Sequence, residues 1–394
     1  MDRLAPAIEA DAEANLVFRL AGETRSGSSL DFRGITDWRR LLQLASDENA
    51  LIALRDAVRS YGPSGIPLHL ERQLAIFALD RECRMRRLKN RLVEAVAALH
   101  RAGIEVLLLK GAALAHTLYG SFVARPMGDI DLLVKPERSG EARTIMLTLG
   151  WGADPELPGD DTYENHHHLP PLRDLEHSAL RLEIHRSLLP PGHPFGYTEQ
   201  EIWAAARQVT VGSVPAFVMH PSHHAVHVAI HFAWSHMLKL GAWNAFRDLA
   251  TLSATGVLDW NEFARLATRW GASSCSYWTL CLGRALSGLT APAEVMNQLC
   301  PALPEFVRRP LGRHFIRILA RAEPACPSAR LDQLLWSLAM QPHREGHARV
   351  RPWCVSLDLV SAINEKVRLA EGGGSESTYR QVRRSGRYIT EILA

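Results

Sequence analysis

The chain has 394 residues, 47% of them hydrophobic and 22% charged, with a formal net charge of +3. That length allows two or three domains with cores of their own, and the composition is that of a globular protein, not a disordered, collagenous or disulfide-stapled one. The small charge gives no bulk argument for a nucleic-acid partner, no apolar run nears the ~18 residues of a membrane span, and the acid-bearing start MDRLAPAIEADAEANL does not read as a signal peptide, so a cytoplasmic protein without membrane contact is expected.

Residues 1–103 read as a helical region. Trp38, Leu41, Leu42 and Leu44, then Leu51, Leu54 and Val58, recur at helical spacing. A long helix is predicted over 68–102, closed by Gly103. Its arginines (Arg81, Arg84, Arg86, Arg87, Arg91) read first as a solvated face and second as a phosphate or acidic-partner surface. Residues 104–212 read as an α/β core, with strands at 104–109, 129–135 and 180–186. Helices are expected at 112–119 and 137–149, and a helix with a short strand over 199–212. The polar stretch 154–179, rich in Pro and His, reads as a loop. Residues 213–371 return to helix, with HPSHHAVHVAIHFAWSHMLKL as one long element and Asp259 with Glu262 as a capping box. The GGGSES stretch marks 372–394 as a flexible linker and tail. The cysteines Cys83, Cys275, Cys281, Cys300, Cys326 and Cys354 form no C-x-x-C pair and are expected reduced.

The most informative stretch is LLLKGAALAHTLYGSFVARPMGDIDLLV at 107–134. In a strand, alternate side chains share a face, so Asp129 and Asp131 point the same way. Adjacent carboxylates repel unless a cation neutralises them, and closely spaced oxygen ligands suit Mg²⁺ or Mn²⁺, which also hold substrate phosphates. Lys110-Gly111 ends a strand and opens a helix. There a glycine lets backbone approach phosphate, the helix start offers N–H groups, and the lysine offers a point charge. The plainer reading is an ordinary strand-to-helix turn. Glu183 and His185 alternate on one face of the 180–186 strand, with Leu182 and Ile184 on the other.

The ordered series Leu109-Lys110-Gly111, Tyr119-Gly120, Arg125 and Asp129 to Val134 resembles a bacterial family of uncharacterised nucleotidyltransferases, within the superfamily that shares the DNA polymerase β-like core. The resemblance runs over about residues 70–290. It implies an α+β fold: a small mixed sheet with helices, flanked by N-terminal and C-terminal helical regions. It also implies that Asp129, Asp131 and a third carboxylate, Glu183, hold two metal ions ~3.5–4 Å apart. Nucleotide contacts are implied for Lys110, Gly111, Arg125, His185, His231 and Arg247, the last in an Arg247-Asp248-Leu249 series. The superfamily more often carries Gly-Ser where this chain has Lys-Gly. A structural salt bridge is the other reading for Arg125, and packing or a buried ion pair for Asp248. His185 is open to a structural or a functional role.

The expected activity is metal-dependent transfer of a nucleoside monophosphate from an NTP to a hydroxyl or phosphate of a small molecule, peptide or natural product. Three readings compete: kinase-like γ-phosphoryl transfer on the same fold, a toxin-type transferase acting on tRNA, and a non-catalytic nucleotide-binding protein. A zinc reading is weaker. His166, His167 and His168 are consecutive, a spacing expected to splay their side chains. His223, His227 and His231 fall at i, i+4, i+8, but the run holds no Glu to act as a hydrolase base. The tryptophans are expected in the core.

Overall fold

A computed structural model of the chain describes residues 11–22, 30–62, 65–157, 160–177, 179–322, 325–340 and 378–393. Helices α1 (Ala12–Gly22), α2 (Trp38–Asp47) and α3 (Leu51–Tyr61) precede the 34-residue α4 (Leu68–Arg101). At 1.5 Å per residue α4 is about 51 Å long, enough to serve two cores. Its Leu70 and Leu74 join a helical core, while Met85, Leu88, Leu92 and Leu99 join a second core against a sheet. It ends as expected, with Gly103 at φ +68°.

The sheet is built from β1 (Leu107–Leu108), β2 (Asp129–Leu133), β3 (Trp151–Ala153), β4 (Leu172–Asp174), β5 (Arg181–His185), β6 (Arg207–Val211) and β7 (Val214–Val218). Its order is β3-β4-β5-β2-β1-β7-β6, with β2/β5 and β1/β7 parallel and the other neighbours antiparallel. α5 (Lys110–Thr117) joins β1 to the loop before β2, and α6 (Ser139–Thr148) joins β2 to β3. Strand alternation divides the side chains between the two cores. Val106, Leu108, Ile130, Leu132, Leu182 and Ile184 pack with α4 and α6, while Leu107, Leu109 and Leu133 face the helical core. The fold is α+β: a mixed sheet backed by two helices on one face and a helical bundle on the other.

The bundle draws on both ends of the chain. α7 (Glu199–Ala205) and α8 (Pro221–Ile230) lead to α9 (Ala242–Ala254), α10 (Trp260–Arg269) and α11 (Ser273–Ser287). α12 (Ala293–Leu299), α13 (Glu305–Leu319) and α14 (Ala329–Ala339) follow. α1 packs against α9 and α11, so the N-terminal helices share the core of the C-terminal ones. Asp259 caps α10 by accepting from the N–H groups of Asn261 and Glu262.

Several expectations need correction. Residues 154–179 are not all loop: β4 lies there, paired with β3 in a hairpin. β7 lies beyond the expected boundary at 212 and pairs with β1, well inside the sheet. The helix expected through 220–240 breaks after Ile230 into a π-helical turn, His231–Ser235, followed by Met237 and Leu238 at φ +53° and +59°. The expected tail carries α15 (Thr378–Leu393), which buries Tyr388 and Ile392 and bonds Tyr388 Oη to His314 Nδ1 at 2.9 Å. The 372–377 linker, the helical reading of 341–371 and Cys354 lie outside the described residues.

Candidate active site

β2 and β5 run parallel with Asp131 opposite Glu183 and Leu133 opposite His185. Because both strands alternate, Asp129, Asp131, Glu183 and His185 share the face toward the helical bundle. Asp131 is 2% exposed, and its Oδ1 accepts from Lys110 Nζ at 2.8 Å and from His185 Nε2 at 2.8 Å. The same His185 nitrogen lies 3.3 Å from Glu183 Oε2. His185 is fully buried, and its Nδ1 has no partner. Lys110 reaches Asp131 from a left-handed backbone at φ +44°, a conformation costing about 1–3 kcal/mol for a residue with a side chain.

Burial, and then the neighbouring Asp131 and Glu183 carboxylates, push the Asp129 carboxyl up to about 7. Burial works the same way on Asp131, yet Lys110 and the His185 hydrogen bond hold it well below the usual carboxylate range. Burial alone would lower Lys110, but Asp131, Glu183 and Asp129 together raise it above its ordinary value, so it carries its proton at neutral pH. His185 behaves likewise: burial opposes its charge, and bonds to Asp131 and Glu183 raise it. Three acids therefore face one ammonium and one imidazole. This surplus of hard oxygen donors fits a divalent cation such as Mg²⁺ or Mn²⁺, and the lysine ammonium already sits where such a charge is attracted.

Arg125 is placed differently. Its Nε and Nη2 donate to the two carboxylate oxygens of Asp248 at 2.7 Å each, and its Nη1 donates to Pro126 O at 2.7 Å. Tyr119 Oη donates to Asp248 at 3.0 Å. The guanidinium is committed to the bundle, so the structural reading of Arg125 is the one its geometry carries. Arg247 does not line the cavity beside the acids; its guanidinium lies over the rings of Trp243 and Tyr119, at 4.8 and 5.4 Å. Gly111 has a packing reason to be glycine. A Cβ there would stand 3.1 Å from Met127 Cβ and 3.5 Å from Arg125 Nη1. Two of the arginines expected on a solvated face turn inward. Arg84 donates to Gly128 O at 3.1 Å, just before Asp129, and Arg91 pairs with Asp174 and lies over Trp151.

A cavity of about 670 Å³ separates the sheet from the bundle. Lys110, Gly111, Asp129, Asp131 and Glu183 line one side, and His227, His231, His236 and Asn244 the other. Burial drives His227 and His231 well below the ordinary imidazole value, so these two histidines are neutral. The π-helical turn begins at His231 and ends beside His236. π-turns of this kind recur at functional sites.

His166, His167 and His168 also line the cavity, and here the expectation of splayed side chains fails. Their ring centroids lie 4.1–4.7 Å apart, because the segment is a turn rather than a regular strand or helix, so the two-residue alternation does not apply to it. Sequence spacing gave no signal for this convergence, which depends on long-range contacts such as the isolated bridge between His168 and His185.

Residues 35–288 match the model of one protein family, described as "Uncharacterised nucleotidyltransferase". No curated protein and no solved structure matches the chain.

Proposed function

The chain belongs to the uncharacterised nucleotidyltransferase family, and from that premise we propose that it moves a nucleoside monophosphate from an NTP to a hydroxyl or phosphate of a small molecule, peptide or natural product. In this reading the sheet is a polymerase β-like core, and Asp129, Asp131 and Glu183 hold Mg²⁺ or Mn²⁺. The observation that carries it is the register of β2 against β5. It sets Asp131 beside Glu183, with Asp129 on the same face, on the wall of a cavity of about 670 Å³.

The bound ions would activate the attacking oxygen and neutralise the triphosphate and the leaving pyrophosphate. The chain's own residues do the positioning. Lys110 exchanges its contact with Asp131 for a β- or γ-phosphate oxygen, and the start of α5 offers backbone N–H groups to the same phosphates. His185 fixes the Asp131 carboxylate by donating to one oxygen, which leaves the other free to ligate. Arg125 and Asp248 hold the bundle against the sheet, so the histidine wall stays in register with the acids. Positioning and charge stabilisation are the main levers for phosphoryl-type transfer. A cytoplasmic setting agrees with the free thiols of Cys83, Cys275, Cys281, Cys300 and Cys326.

The test is a product assay with α-labelled and γ-labelled NTPs in parallel, with Mg²⁺ and a cell extract as acceptor source. Label transferred only from the α position, with pyrophosphate released, is the expected result. Transfer only from the γ position would move the protein to the kinase class, and no transfer from either would leave a binding role.

A further inference from the structure

The segment 163–169, between β3 and β4, is tied to the strand end at Ile184–Ser187 beside the acid cluster. Arg186 Nη2 donates to the carbonyls of Tyr163, Glu164 and His166 at 2.8, 3.1 and 2.9 Å. The backbone N–H groups of Arg186 and Ser187 donate to His167 O, and Leu169 N donates to Ile184 O. These bonds bring one nitrogen from each of His166, His167 and His168 within 4.8 Å of the other two. His168 Nδ1 donates to Leu169 O at 2.7 Å, which fixes the tautomer and leaves Nε2 as a lone pair. That lone pair faces Glu183 Oε2 at 3.7 Å. At this separation no hydrogen bond joins them, so two electron-rich atoms confront each other. The Nδ1 atoms of His166 and His167 are buried without partners.

We propose that His166, His167 and His168, with Glu183 as fourth ligand, form a site for one late first-row divalent ion of the zinc class. The site stands beside the Asp129–Asp131 pair and differs from it in hardness. Imidazole nitrogens select zinc-like ions, whereas clustered carboxylates select Mg²⁺ or Mn²⁺. A tetrahedral ion with bonds of ~2.0–2.1 Å needs ligand atoms about 3.4 Å apart, and the His168–Glu183 gap of 3.7 Å is close to that. The Leu169 carbonyl supplies the outer bond that ligating histidines usually make. The same Glu183 Oε2 lies 3.3 Å from His185 Nε2, so this carboxylate joins the histidine cluster to the Asp131 side. The site depends on the proposed function only through this shared carboxylate.

The test uses tag-free, full-length protein stripped with a chelator and titrated with Co²⁺ in the absence of nucleotide. One equivalent giving the strong visible bands of four-coordinate cobalt, displaced by Zn²⁺, is expected. His166→Asn and His167→Asn should each weaken binding by at least about 100-fold, the upper range seen when only an outer partner is lost. His227→Asn and the Asp129→Asn/Asp131→Asn double variant should leave the bands unchanged. Weak six-coordinate bands, bands that survive His166→Asn with His167→Asn, or bands lost in the Asp129→Asn/Asp131→Asn variant would each overturn the site. Should the histidine variants fail to fold, X-ray absorption on the native cobalt or zinc protein counts imidazole ligands directly: three support the site, and fewer overturn it. No transfer is measured, so failure of the nucleotidyltransferase reading leaves this result standing, and the reverse.

Discussion

Two ion pairs border the same cavity and are built in opposite ways. Arg125 and Asp248 meet through two 2.7 Å bonds, and Tyr119 adds a third bond to the same carboxylate. Each charge there is matched and few hydrogen-bonding positions are left over. Lys110 and Asp131 meet through one 2.8 Å bond from a left-handed backbone, with Asp129 and Glu183 close by as further negative charge. A matched buried pair holds parts together. A mismatched cluster, kept in place by the fold at a cost in strain and repulsion, is where a ligand's charge can act.

The largest effect that sharpens this contrast is on chemistry. Asp129→Asn should cut transfer by about 10³-fold or more, since an ion that stabilises the transition state by several kcal/mol loses a ligand. The same change should raise the melting temperature of the metal-free protein above neutral pH, because one of three crowded charges disappears. A fall in melting temperature would place Asp129 with the structural pair and break the comparison. Next is Arg125→Ala, expected to destabilise by about 3–5 kcal/mol in urea unfolding, because Asp248 is left as a buried, unmatched charge. The Arg125→Met/Asp248→Leu double variant should recover most of that loss. If it does not, the pair contributes more than charge matching.

The contrast explains what could be read from the sequence. Asp129, Asp131, Glu183 and His185 were legible because strand alternation is a strict period of two, and it survives into the structure as the register of β2 on β5. The span of α4 was legible from its helical spacing and from Gly103. β7 was not, because Pro215 suppresses a strand signal. The strand tolerates it because β1 pairs only with Phe217 and Val218, beyond the proline. β3 and β4 are three residues each, too short for a pattern. The partner of Arg125 lies 123 positions away, so only the order of the family's motifs hinted at Asp248. The histidine turn was misread because periodicity was applied where there is no regular element.

A smaller effect belongs to Lys110. Lys110→Met should weaken NTP binding by about 1.5–3 kcal/mol, the range for hydrogen bonds to charged groups, seen mainly in KM. Its stability should change less than that of Arg125→Ala, since His185 still donates to Asp131 and the left-handed backbone is retained. Mg²⁺ alone should bind the variant more tightly than the native chain, because the ammonium no longer competes for Asp131. An unchanged KM together with a large loss of stability would turn Lys110 into a second structural pair.

The smallest effect is a pH dependence, and its sign follows from Asp129. A carboxyl raised in the folded state to about 7, above its ordinary ~3.9, favours folding while it stays protonated. That contribution is complete below the unfolded value and is lost as pH rises through the folded one. The metal-free protein should therefore lose stability between about pH 4 and pH 7 from this group. Mg²⁺ binds the ionised form, so it restores what ionisation removed. The thermal shift produced by Mg²⁺ should then be larger at about pH 8 than at about pH 6, by roughly 1 kcal/mol. Equal shifts at the two pH values would mean that Asp129 is ionised throughout, and that the acid cluster is as well matched as the pair across the cavity.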